Sequence, residues 1–250
     1  MRRFIATDCD LCGETVEIRG DLFRHMARVL RLKIDTSVTL ADGRGTECMG
    51  RIREIGRESL IVAIAERSVG ASAADTPRIT LYQGLPKGEK MELILQKCTE
   101  LGVTEVVPFL ARRSVIRLAA DREGERLRRW QRVAEEAARQ AGCPVVPGVR
   151  LARSMNEVAQ EADHDLKLLL WEGERATGLK DVIDGHSSPQ NIALIVGPEG
   201  GITPEEAEQA RAGGFVPVTL GSRILRTETA GIALVAIIQY LYGDLGRAET

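Results

Sequence analysis

From Arg78 to the C-terminus, short apolar runs alternate with longer stretches of helical spacing, and no other feature constrains the fold of this chain as much. Strand patterns fall at 79–83, 105–110, 145–151, 166–171, 192–196 and 215–220. Helix patterns fall at 90–101, 121–141, 154–162, 204–212 and 228–241. Strands joined through helices pair in parallel by crossovers, so this order predicts an α/β fold: a mostly parallel sheet covered on both faces. The last helix is apolar all round from Ala230 to Ile238. A helix without a polar face is buried on more than one side, either inside the monomer or against a second subunit.

The first 67 residues read differently. Strand patterns at 15–19, 37–41, 46–55 and 59–65 carry β-branched residues and period-two alternation, with a tight turn at Asp42-Gly43-Arg44-Gly45. A short helix interrupts them, with Leu22, Met26, Val29 and Leu30 at helical spacing and Arg24, His25, Arg28 and Arg31 on other faces. The small, polar stretch 68–77 reads as a linker.

Composition narrows the function classes. The 250 residues, 44% hydrophobic and 28% charged, supply a globular core. No apolar run reaches the roughly 20 residues a membrane helix needs. The basic start Met1-Arg2-Arg3-Phe4 lacks the apolar stretch of a signal peptide. Five cysteines are an odd number without framework spacing, which fits a reducing cytoplasm. Cys9-Asp10-Leu11-Cys12 has no second pair, and His25 and Cys48 are scattered, so no metal is expected. The net charge of -2 excludes a protein basic all over, but basic residues are locally dense. Five stand against one acid between Arg19 and Lys33, and eight arginines against three acids between Arg112 and Arg132. These are either solvated helix faces or nucleic-acid contacts.

The chemistry-bearing segments lie near the C-terminus. The apolar run Ile192-Ala193-Leu194-Ile195-Val196 enters Gly197-Pro198-Glu199-Gly200-Gly201. A glycine-rich turn after a buried strand presents backbone groups at the carboxyl edge of a sheet, where open α/β sheets bind ligands. Thr203, Pro204 and Glu206 then mark a helix start with a capping box. Glycines 200 and 201 would admit a ligand close to the backbone, although a plain strand-to-helix turn reads the same way. Neither G-x-G-x-x-G nor G-x-x-x-x-G-K-[ST] is present, which disfavours nucleotide enzymes that cradle phosphates. The second segment, Leu220-Gly221-Ser222-Arg223-Ile224-Leu225-Arg226-Thr227-Glu228-Thr229-Ala230, puts two arginines, a glutamate and two threonines between apolar elements. Such polar density beside a buried helix serves either a site or helix capping, with Thr227 as N-cap, Glu228 on the helix dipole and Arg226 paired with an acid.

Together these two segments resemble the SPOUT superfamily of RNA methyltransferases, and within it the bacterial branch that methylates N3 of a uridine in 16S ribosomal RNA. The likeness continues through Lys87-Gly88-Glu89-Lys90-Met91-Glu92, Gln96-Lys97-Cys98-Thr99-Glu100-Leu101-Gly102, Trp130-Gln131-Arg132-Val133-Ala134, Arg24 to Arg31 and Ala41-Asp42-Gly43, nearly the whole chain in order. It implies a SPOUT-type trefoil-knotted, mostly parallel sheet at 78–250 and an N-terminal PUA-like β-barrel at 1–70 that holds RNA. It also implies S-adenosyl-L-methionine as cofactor and a homodimer with the active site near the subunit interface. One departure stands out: similar proteins usually carry an arginine after the glycine of Gln140-Ala141-Gly142, where Cys143-Pro144 follows here.

The resemblance assigns the cofactor to Val196, Gly197, Pro198, Glu199 and Gly200 of the first segment. In the second it assigns Leu220, Gly221, Ile224, Leu225, Arg226, Thr227, Thr229 and Ala230, with Leu85 contributing. Leu220, Ile224 and Leu225 would line an apolar adenine pocket. Deprotonating a uracil imide spreads negative charge onto its two carbonyl oxygens, which an arginine can stabilise; Arg226 is the first choice. Glu228 or Glu199 is the candidate base, with capping or ion pairing as the alternative for each. Arg24, His25, Arg28, Arg31, Lys87, Arg112 and Arg113 are the expected contacts to ribosomal RNA or the small ribosomal subunit, mainly through phosphates. His25 reads equally well as a surface histidine. The competing readings are a catalytically silent RNA-binding or ribosome-assembly protein and a SPOUT ribose 2′-O-methyltransferase.

Overall fold

The computed structural model describes residues 2–7, 9–69, 76–114, 120–161 and 163–247, in two compact units. One comprises Met1–Asp75 with Ala138–Val146, the other Thr76–Ala137 with Pro147–Thr250. Of the expected linker, 70–75 lie outside the described residues.

The first unit is a five-stranded sheet in the order β1-β3-β4-β5-β2, built from β1 Arg2–Ile5, β2 Thr15–Arg19, β3 Ser37–Ala41, β4 Thr46–Ile55 and β5 Ser59–Val69. All its pairs are antiparallel except β1 with β3. Alternation sends Val16, Ile18, Ile52, Leu60 and Val62 into one core with Phe4 and Leu40. β1 had no strand pattern of its own: two arginines precede Phe4, and only pairing with β3 makes the segment extended. The turn is held by Asp42, whose Oδ1 accepts from the N–H groups of Arg44 (2.7 Å) and Thr46 (2.9 Å). The expected short helix is one α-turn, α1 Gly20–Phe23, that widens into a π-helix at Arg24–Val29. The wider winding shifts the phase, so Phe23 and Met26 turn inward while Val29 is exposed.

The second unit contains a six-stranded sheet in the order β11-β9-β10-β6-β7-β8, and every pairing is parallel. Its strands are β6 Arg78–Gly84, β7 Glu105–Phe109, β8 Gly148–Val149, β9 Leu166–Leu170, β10 Asn191–Val196 and β11 Val216–Val218. Its helices are α2 Lys90–Glu100, α3 Ala120–Ala141, α4 Met155–Gln160, α5 Leu179–Ile183, α6 Pro204–Ala212 and α7 Thr227–Tyr242, with the end of α3 grouped with the first unit. Alternate residues of each strand feed opposite faces. Ile192, Leu194 and Val196 pack with α2 and α7; Ala193 and Ile195 pack with α4 and α6. The expected strand at 145–151 is shorter, because Val145 instead bridges Gly43 and Arg44 in the first unit. The five-residue α5 was too short to announce itself by periodicity.

Two features of this sheet position a site. From β6 the chain proceeds to β7 on one side, whereas from β10 it proceeds through α6 to β11 on the other. The border between β6 and β10 is therefore the topological switch point, where connections diverge and leave a crevice at the carboxyl ends. The apolar α7 buries Ala230, Leu234, Val235 and Ile238 in the core, while Ile232 and Ile237 are half-buried and Tyr240 is 69% exposed. Among the described residues its second face is therefore only partly covered. No helix among the described residues is long and apolar enough to cross a membrane, and none of them form a group of three His, Cys, Asp or Glu side chains able to hold a metal.

Candidate active site

The switch point brings together three segments distant in sequence. Gln83, at the end of β6, lies in register opposite Val196 at the end of β10. Its fully buried side chain donates from Nε2 to the Thr227 hydroxyl (2.9 Å) and the Gly84 carbonyl (3.0 Å), with the Gly197 carbonyl at 3.4 Å. The Thr227 hydroxyl donates in turn to the Gly197 carbonyl (2.5 Å). Thr227 therefore does not cap α7; Arg226 occupies the N-cap position in extended conformation, and Thr227 reaches across to the glycine-rich turn. A polar knot this deeply buried persists because its donors are satisfied.

A charged layer lies beside it. Glu199 accepts from the Lys87 backbone N–H (3.2 Å) and pairs with the Lys90 ammonium (2.9 Å). The same ammonium stands 3.3 Å from Glu228, whose side chain is 13% exposed. For Glu199, burial pushes the carboxyl up, but the Lys90 hydrogen bond and the backbone N–H donors of Glu199 and Lys87 outweigh it and hold the group below the usual carboxylate range. The Glu199 hydrogen bond raises Lys90 above its ordinary value, against burial and together with Glu228. Both carboxylates proposed as a base are thus ion-paired, and Glu199 is a weak proton acceptor.

The glycines act differently from expectation. A Cβ on Gly200 would stand 2.7 Å from the Arg113 carbonyl oxygen, and one on Gly201 would overlap the Glu172 carboxylate. Atoms of Arg113 and Glu172 occupy those spaces. Glu172 Oε1 also accepts from the Ile202 N–H (3.2 Å), and Trp171 Nε1 donates to the Ile202 carbonyl (3.0 Å), so the end of β9 braces the turn. The capping box at Thr203 and Glu206 is present, and Glu206 additionally accepts from the Arg112 N–H (2.8 Å).

The open part is Leu220 to Arg226. Gly221 has φ +115° and nothing within 4 Å of where a Cβ would be. The N–H groups of Leu220, Ser222, Arg223, Ile224 and Leu225 donate to no group among the described residues. Leu220 and Leu225 pack against the core, but Ile224 is 95% exposed. Ile224 is therefore no wall of an apolar pocket in this chain: next to the inward Leu225 on an irregular segment, it turns outward. Thr229 is exposed, and the exposed Arg226 has no side-chain partner among the described residues. Leu85 is buried beneath, its N–H on the Phe109 carbonyl (2.9 Å).

Residues 73–239 match the family described as RNA methyltransferase domain, and residues 18–65 the one described as RNA methyltransferase PUA domain. The chain belongs to the RNA methyltransferase family. It is 34% identical to a ribosomal RNA small subunit methyltransferase E from Neisseria gonorrhoeae solved with S-adenosyl methionine, with TM-score 0.82 over 98% of this chain and 99% of that one. It is 30% identical to a putative methyltransferase from Legionella pneumophila solved with the cofactor SAM, with TM-score 0.78 over 95% and 96%. The ribosomal RNA small subunit methyltransferase E of Bacillus subtilis (strain 168) is 29% identical over 90% of each chain. The fold is thus the expected α/β SPOUT-type one, with a mostly parallel sheet and a PUA domain at the N-terminus.

In this family member the basic candidates fall into two sets. In the first unit Arg24, His25, Arg28 and Arg31 are all exposed. Arg24 pairs with Asp21, Arg28 reaches the Arg57 carbonyl (3.4 Å), and the His25 ring meets the edge of Phe4 at 6.4 Å. In the second unit Lys87, Arg112 and Arg113 are exposed at the rim of the glycine-rich turn, with Arg113 donating to the Gly200 carbonyl (3.2 Å). Sequence reasoning missed Gln83, Gly84, Lys90 and Glu172. Gln83 left a signal as a polar residue closing an apolar strand, and Lys90 lay within the family-like stretch Lys87–Glu92, which did not disclose its role.

Proposed function

We propose that the chain methylates N3 of a uridine in 16S ribosomal RNA, using S-adenosyl-L-methionine, as a cytoplasmic homodimer with a trefoil-knotted C-terminal domain at 78–250 and a PUA-like RNA-binding barrel at 1–70. The observation that carries the reading is the set of backbone N–H groups of Leu220 and Ser222–Leu225 that have no acceptor among the described residues, at the switch point and beside Leu220 and Leu225. Free N–H donors against an apolar wall fit an adenine ring, whose nitrogens accept hydrogen bonds, and the carboxylate of the same molecule. When bound, S-adenosylmethionine supplies the methyl group, from a sulfonium, by in-line displacement. The chain's own tasks are to hold both reactants in line and to favour the N3 anion. Arg226, exposed and with no side-chain partner among the described residues, lies beside these donors and is suited to the charge that develops on the uracil oxygens. The half-covered face of α7 supports the dimer.

The open, intact cofactor segment favours an enzyme over a silent RNA binder. The test is mass spectrometry of ribosomal RNA from cells lacking this protein. One N3-methylated uridine should disappear and return with the wild-type gene; an unchanged pattern would favour the silent binder, and loss of a ribose methyl the 2′-O-methyltransferase. RNA affinity should also respond to salt. Neutralising about five phosphates at a slope of about 0.7 each predicts roughly a hundredfold loss between about 50 and 200 mM salt. Filter binding with a small-subunit RNA fragment reads this directly, and a flat profile would remove the basic residues from the interface.

A further inference from the structure

We propose that Lys90 is a positioning residue that holds the two halves of the cofactor pocket, the Gly197–Gly201 turn and the first turn of α7, at the spacing in which they bind the cofactor.

Three observations support this. First, one ammonium joins both halves: Lys90 Nζ lies 2.9 Å from Glu199 in the turn and 3.3 Å from Glu228 in α7. Second, Lys90 is the first residue of α2, where the helix dipole disfavours a cation. A lysine placed against local preference points to a tertiary role. Third, Glu228 Oε2 is buried with no hydrogen-bond partner among the described residues, and the ion pair with Lys90 compensates its charge. Removing the ammonium would leave the Glu199 and Glu228 carboxylates without the counter-charge they share. Their repulsion acts along the line joining the halves, against the neutral contacts of Gln83 and Thr227 underneath. Glu199 also accepts the Lys87 N–H, so the turn preceding α2 would loosen with it.

The inference rests on the proposed cofactor pocket, and its test separates the two. Calorimetric titration of the full chain with S-adenosylhomocysteine is the probe; a wild-type protein that takes up none would overturn the pocket itself. Given wild-type binding, Lys90→Met should weaken it about tenfold, between the effects of exposed and of buried ion pairs. The KM for S-adenosylmethionine should rise by the same factor, with kcat at saturation and the KM for RNA within about twofold of wild type. Lys90→Arg should restore near-normal binding. Lys90→Met combined with Glu199→Gln and Glu228→Gln should recover part of the loss, because the repelling charges are gone. A purely structural lysine would lower the unfolding midpoint while leaving binding below it unchanged, and that result would overturn the proposal. If Lys90→Met does not fold, Glu199→Ala puts the same question by removing the acceptor that Lys87 and Lys90 share; unchanged affinity there would overturn it equally.

Discussion

Arg226→Ala is expected to lower kcat by at least about a hundredfold, the order of effect seen when one preorganised donor to a developing anion is removed. Its side chain is exposed and pairs with nothing among the described residues, so the fold should not depend on it. Its contribution to α7 is made by the backbone, whose carbonyl accepts from the Ala230 N–H at 2.8 Å. Alanine keeps that bond. The unfolding midpoint, the oligomeric state and the affinity for S-adenosylhomocysteine should therefore stay close to wild type while single-turnover methylation fails. Near-normal turnover would show that the anion is stabilised by another group. Lys87→Ala is the informative comparison: its side chain lies at the rim, so the expected loss is in RNA affinity.

Gly84→Ala should have the largest effect on the pocket itself. A Cβ there would lie 2.4 Å from Pro198 Cδ, 2.6 Å from Pro198 N and 3.0 Å from the Gly197 carbonyl carbon. These are ring and backbone atoms, so no side chain can rotate out of the way. The glycine-rich turn must retreat from β6, which breaks the Thr227 and Gln83 contacts to Gly197 at the same time. Overpacking of this kind costs about 1–3 kcal/mol of stability. Cofactor affinity should fall further, because the displaced segment forms half of the pocket. Thermal unfolding alongside calorimetric titration would separate the two losses. A variant that binds S-adenosylhomocysteine normally would mean that the turn can shift without the pocket noticing.

The second-unit sheet was legible because its inner strands β6, β7, β9 and β10 are largely buried and read as mostly apolar runs. The helices that cover it carry their own phase, as Met91, Ile94, Leu95 and Cys98 of α2 do. The capping box at Thr203 and Glu206 was legible for a local reason, since both partners lie within one turn. Where neighbours from elsewhere decide the conformation, the reading failed. β1 is extended because β3 pairs with it, Val145 leaves its strand for Gly43, and the π-turn at Arg24–Val29 carries Val29 away from the core. At the site, Ile224 was expected inside and stands in solvent. Thr227 was weighed as a cap and is instead a cross-link to Gly197.

By itself the sequence determined the layered α/β class, the glycine-rich turn after β10 and the polar segment before α7, together with the resemblance these carry. Such features follow from spacing and residue type, which act over a few positions along one chain. Only the tertiary structure decided that β6 and β10 meet at the switch point, that Gln83 and Gly84 form the floor of the site, and that Lys90 serves two carboxylates on different elements. Gln83 is 114 positions from Gly197 and 144 from Thr227. Pairing at such separations depends on which strands become neighbours, and only the burial of the whole sheet fixes that choice.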